Sequence, residues 1–114
     1  MRMFYVIGMT REEKQKELFG LLHSGVVREK TQLHALLAYL GARAIEAPGE
    51  SLKEYTIGVE ALGKPSDYDP RIDPSVRVEV AKLRHRLDEY YREAGAAHPV
   101  RLEIPKGAYL PYFV

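Results

Sequence analysis

Between Arg71 and Lys106 the chain carries eight cations: Arg71, Arg77, Lys82, Arg84, Arg86, Arg92, Arg101 and Lys106. Five of these lie in a stretch that winds as a helix over 74–94. At about 100° per residue, Val76, Val80, Leu83, Leu87, Tyr90, Tyr91 and Ala94 fall on one side, which must be core. The rest of the surface divides along the axis. Its N-terminal half presents Arg77, Val78, Ala81, Lys82, Arg84 and His85, and its C-terminal half presents Asp88, Glu89, Arg92 and Glu93. A helix enters a DNA major groove, about 12 Å wide, only if the residues nearest the groove floor are small. Val78 and Ala81 are small and apolar, suited to a sugar or a thymine methyl. Arg77, Lys82 and Arg84 flank them with long cationic arms for phosphates or guanine edges. The same arrangement also describes an ordinary solvated helix face carrying one exposed valine.

Other chemistries find little support. The four histidines, His23, His34, His85 and His98, are scattered without an H-x3-H or H-E-x-x-H spacing, so no metal site is expected. Neither a G-x-S-x-G, a P-loop nor a G-x-G-x-x-G is present, and no cysteine is available as nucleophile or thiolate ligand. Tyr90, Tyr91, Tyr109 and Tyr112 stand where core packing and a helix–hairpin junction would use them. The chain therefore reads as a non-enzyme without cofactor or small-molecule substrate.

The elements that must position the cationic helix are legible from caps and breakers. Thr10-Arg11-Glu12-Glu13 forms a capping box opening a helix to about His23, with Leu18, Phe19, Leu21 and Leu22 as its apolar surface and Gly25 as its stop. A second helix begins near Thr31, with Leu33, Leu36, Leu37, Leu40 and Ala44 at helical spacing, and Pro48-Gly49 ends it. Ser51-Leu52-Lys53-Glu54 reads as a second capping box, opening a helix whose Leu52, Tyr55, Val59 and Leu62 share a face. Gly63 and Pro65 close it, and the stretch 64–72 is a loop. Asp73 is then the N-cap and Pro74 the first residue of the cationic helix, which Gly95 ends. An alternating run from Val100 to Ile104, a turn at Pro105-Lys106-Gly107 and a returning strand from Ala108 to Val114 make a hairpin over 99–114 with a lysine at its tip. The apolar opening, 1–9, reads as a strand: it is too short for a secretory signal, and no small-residue cleavage site follows.

Composition agrees with one soluble domain over 1–114. The chain is 114 residues long, 46% hydrophobic and 29% charged, enough to build a core and not two domains. The lack of cysteine suits a reducing, cytoplasmic setting, and no apolar run approaches the roughly 20 residues that span a bilayer. The net charge of +1 does not announce a nucleic acid by itself; the local basic surface does.

The order strand, helices, terminal hairpin is an α+β, winged helix-turn-helix layout. The residues Asp73 to Leu87, DPSVRVEVAKLRHRL, followed by Ile104-Pro105-Lys106-Gly107-Ala108-Tyr109, resemble the C-terminal effector domain of OmpR-type response regulators. That family carries approximately R-x-V-D-V-H-I-x-x-L-R-x-K-L and then R-G-x-G-Y in the wing. A bacterial subgroup of such domains also has the motif found here at Leu52 to Glu60, LKEYTIGVE, and the likeness extends over roughly 17–113. The resemblance implies a transcriptional regulator that binds duplex DNA, with the 74–94 helix in the major groove and the hairpin as a wing on the backbone or in the minor groove. It places Val78, Lys82 and Arg84 toward DNA, makes Lys106 the basic residue of the wing, and makes 64–72 the loop that can touch RNA polymerase. This sequence departs from the pattern in three places. Pro74 replaces a phosphate-contacting arginine, for which Arg71 or Arg77 could compensate. Glu79 stands where histidine is frequent, and the wing turn is one residue shorter. The chain is also too short to hold a receiver domain. One module makes few phosphate contacts, so a homodimer or tandem sites are expected. The near-neutral charge and Glu79 favour the alternative, a winged helix that contacts protein in a signalling assembly without binding DNA.

Overall fold

The computed structural model describes residues 9–114. The strand expected over 1–9 lies outside the described residues except for Met9, which is irregular and packs against the core. Both arms of the first capping box form: Glu13 N donates to Thr10 Oγ1 at 3.1 Å, and Thr10 N donates to Glu13 Oε1 at 2.8 Å. They open α1, Arg11–Leu22. Gly25 follows at φ 86°, a left-handed conformation that costs glycine nothing. Leu21 is buried, but Phe19 is 65% exposed, a correction to its expected role in packing.

Thr31 caps α2, Gln32–Glu46, accepting from His34 N at 3.2 Å. Leu33, Leu36, Leu37, Leu40 and Ala44 are all buried, as the spacing predicts. This helix is the centre of the molecule, packed by α1 on one side, by α3 (Glu54–Leu62) and α4 (Ser75–Arg92) on others, and by the C-terminal strand.

The capping box expected at Ser51 does not form. Helix α3 starts two residues later, at Glu54, with Lys53 at its N-cap and no side-chain cap. The Leu52 amide donates instead to Tyr109 O at 2.8 Å, which holds the chain extended against the hairpin loop. The buried face of α3 also differs from expectation, being Ile57, Gly58 and Leu62, with Tyr55 40% exposed. Gly58 is the reason. A Cβ built there would lie 2.3 Å from Tyr68 Cε2, so the missing side chain makes the seat for the buried Tyr68 ring.

Helix α4 starts one residue later than expected, with Pro74 rather than Asp73 at its N-cap and no side-chain bond from the cap, although the Asp73 carboxylate still meets the Ser75 amide ahead of it. Its Oδ1 accepts from Ser75 N at 3.0 Å and from the Ser75 hydroxyl. Val76, Val80, Leu83, Leu87 and Tyr91 are buried. Ala94 is exposed, because the helix ends at Arg92 and the chain turns at Glu93. Gly95 lies beyond that end: its missing Cβ, which would meet Tyr90 Cε2 at 2.4 Å, lets the chain fold back over the Tyr90 ring, and its amide donates to Tyr90 O at 2.7 Å.

The hairpin is shorter than the alternation suggests. Only β1 (Leu102–Glu103) and β2 (Tyr112–Phe113) form ladder pairs, antiparallel with Leu102 opposite Phe113, and Arg101 and Val114 exchange a further pair of 2.8 Å bonds. Val100, Leu102 and Ile104 are buried at period two, as expected. The ladder stops because the next carbonyls are taken by side chains and by the 51–53 segment, and Pro105 and Pro111 have no amide to donate. The result is a small α+β fold with four helices and one two-stranded antiparallel sheet among the described residues.

Candidate nucleic-acid interface

The outward side of α4 exposes Arg77, Val78, Ala81, Lys82 and His85 along its first three turns, and Asp88, Glu89 and Arg92 along its last two. Val78, at 46% exposure, and Ala81 form a low centre between longer side chains. The polarity read from the sequence is therefore present on one continuous face.

The cations of that face differ in how free they are. Lys82 Nζ lies 3.2 Å from Glu79 Oε2, and its side chain is 58% exposed, so the carboxylate restrains it without covering it. Arg77 Nη1 bonds Glu54 Oε2 at 2.8 Å and Pro70 O at 2.9 Å, bracing the start of α4 against α3 and the preceding loop. His85 stands 3.5 Å from Glu89 across one helical turn. Arg84 is half-buried and turned toward the hairpin: Nε donates to Ile104 O at 2.7 Å and Nη2 to Pro105 O at 3.1 Å. It fastens the turn that carries the exposed Lys106, a role the sequence gives no hint of. Helix face and turn thus form one assembly, with Arg84 between them.

The loop 64–72 is well braced. Tyr68 is buried beneath α3, and Tyr55 Oη donates to Ser66 O at 2.7 Å. Asp69 accepts from Arg71 on both backbone and guanidinium, and Lys64 Nζ lies 3.0 Å from Asp73 Oδ2. On this frame Ile72 projects 81% exposed, immediately before α4. The Ser75 bonds and Lys64 together hold the Asp73 carboxyl down to about 2, from an ordinary 3.8. A depressed folded value means that Asp73 stabilises above the ordinary value, and that this contribution disappears as pH falls from about 4 through about 2. The melting temperature should therefore drop over that window, and in Asp73→Asn the drop should be shallower. An identical pH profile in the variant would rule out this role.

Sequence reasoning passed over two cations beside the face. Arg86 sits one turn beyond Lys82, and its Nη1 donates to Val26 O at 3.1 Å in the turn between α1 and α2. Arg28, from that same turn, lines a cleft with Lys82 and Arg86. Arg86 could have been found from its four-residue spacing to Lys82, whereas nothing local to Arg28 connects it to α4. Among the described residues no group of three His, Asp or Glu could hold a metal ion, and no helix is long and apolar enough to cross a membrane. Comparison of the chain with protein-family models, curated proteins and solved structures gives no match.

Proposed function

We propose that the chain is a winged helix-turn-helix domain that binds duplex DNA as a transcriptional regulator. Helix α3, the braced loop and α4 are the helix-turn-helix, and the hairpin is the wing. The observation that carries this reading is the joining of α4 to the hairpin turn by Arg84. It sets the small centre at Val78 and Ala81, the cation of Lys82 and the cation of Lys106 on one rigid unit, as a helix in the major groove with a wing on the backbone requires. The likeness to OmpR-type effector domains supports the same reading. It extends it to a homodimer on paired half-sites, with the 64–72 loop toward RNA polymerase.

The test is a fluorescence-anisotropy titration of mixed-sequence duplex at several salt concentrations. Three to six neutralised phosphates give a log–log salt slope of roughly −3 to −5. Lys82→Ala with Lys106→Ala should flatten that slope by about 1.8, since neither side chain holds the fold together. Absence of binding at low salt would reject the reading. The exposed Ile72 on its rigid loop would then favour the second reading, a docking module for a protein partner.

A further inference from the structure

The turn between α1 and α2 stands against the flank of α4, and its backbone is unusual. Lys30 has φ 64°, the one non-glycine residue with positive φ among the described residues. Side chains with a Cβ resist this conformation, and glycine or asparagine is the residue that suits it. The turn is otherwise well made. Thr31 Oγ1 donates to Arg28 O at 2.6 Å, Val27 is buried to 1% exposure, and Arg86 holds Val26 O. A lysine kept at a strained position in a rigid turn places its long cationic arm in solvent at a cost to the fold.

The same turn carries Arg28, two residues before that lysine. Arg28, Lys82 and Arg86 line an open cleft of about 440 Å³ between this turn and α4. Glu79, whose side chain is 17% exposed and already paired with Lys82, is among the described residues the one carboxylate lining the cleft; the exposed Glu29 lies on the turn, and Glu89 and Glu93 line the adjoining surface with Arg86. Within the cleft three cations stand against one paired carboxylate, a positive strip that ends where Glu89 and Glu93 begin.

We propose that this turn is a third DNA-contacting element, in which Arg28, Lys30 and Arg86 hold the phosphates of one strand while α4 faces the groove. The inference rests on the DNA reading above and adds a binding site on the side of α4 opposite the hairpin. The turn and the wing then grip the two backbones that border the groove, and neither contributes to sequence choice, since phosphates are the same at every step.

The experiment compares the wild type with Arg28→Gln, Lys30→Gly and Arg28→Gln/Arg86→Gln on two duplexes of unrelated sequence. Each phosphate contact contributes a factor of about 8 at 0.1 M salt, from a slope of about 0.9 per contact. Arg28→Gln should weaken binding about 8-fold and the double variant roughly 60-fold, equally on both duplexes, with slopes flatter by about 0.9 and 1.8. The Arg28 side chain makes no hydrogen bond among the described residues, so its replacement leaves the fold intact. Lys30→Gly separates function from folding most sharply: relieving positive φ should raise the melting temperature by about 4 °C while affinity falls. Lys16→Gln on α1, remote from the cleft, is the control and should change nothing. Wild-type binding that is lost with Lys82→Ala but unaffected by Arg28→Gln and Lys30→Gly would overturn this inference and leave the DNA reading in place. A wild type that does not bind duplex overturns both.

Discussion

Glu17→Ala should lower the unfolding free energy by about 3 kcal/mol, the cost of leaving buried polar partners unsatisfied. The Glu17 side chain is only 9% exposed, although it lies on a helix whose neighbours are solvated. Its Oε2 accepts from Tyr91 Oη at 2.6 Å, and its Oε1 lies 3.0 Å from His98 Nδ1. The Tyr91 hydroxyl in turn accepts from the buried Leu102 amide at 3.0 Å. Burial, with the Glu17 carboxylate accepting its proton, pushes the Tyr91 hydroxyl far above its ordinary range, so it remains a donor at every pH the fold experiences. One carboxylate thus joins α1, the end of α4 and the first strand of the hairpin. Removing it leaves the Tyr91 proton without an acceptor. Removing the hydroxyl in Tyr91→Phe leaves the Leu102 amide bare and should cost a similar amount. The two replacements act on one network, so the double variant should cost clearly less than the sum. Chemical denaturation of the four proteins measures this. A loss below about 0.5 kcal/mol for Glu17→Ala would mean that water replaces the network and that the hairpin is held by its apolar side chains alone.

That network marks the boundary of what the sequence reveals. Local chemistry was readable: the Thr10 box, the Thr31 cap, the Asp73 carboxylate and the buried face of α2 are each decided by residues within a turn of one another. The face of α4 was readable too, because a helical period applied to Val76, Val80, Leu83, Leu87 and Tyr91 leaves its exposed side no freedom. Failures came where a distant group outbid a local one. Ser51 lost its cap role because Tyr109 O takes the Leu52 amide. Tyr55 lost its buried place because Tyr68, from the following loop, lies on Gly58. The hairpin lost ladder pairs because Arg84, 20 residues away, takes the Ile104 carbonyl. A hydrogen bond between positions so far apart has no signature in composition or period. The same limit applies to the candidate site, where Lys82 and Val78 could be named from spacing, while the commitment of Arg77 and Arg84 to backbone carbonyls could not.

Arg84 is where the family likeness and the local geometry lead to different expectations, and its replacement decides between them. The likeness directs this side chain to DNA. Here its guanidinium spends two donors on the carbonyls of Ile104 and Pro105 and is half-buried between helix and turn. Hydrogen bonds from a charged donor contribute about 1.5–3 kcal/mol, so Arg84→Ala should cost about 2–3 kcal/mol and lower the melting temperature by roughly 8–12 °C. Arg84→Lys is the sharper variant, because an ammonium keeps the charge but cannot reproduce the planar fork that meets two adjacent carbonyls. If Arg84 is the fastening of the wing, both variants lose stability. Amide exchange should then accelerate in the hairpin more than in α2, and DNA affinity should fall through misplacement of Lys106. If instead it is a phosphate contact, Arg84→Lys keeps both stability and affinity, and Arg84→Ala flattens the salt slope by about 1 with an unchanged melting temperature. We expect the first pattern. On the proposed DNA reading, the helix face would then serve as a DNA surface because one of its own arginines turns aside to hold the hairpin turn beside it.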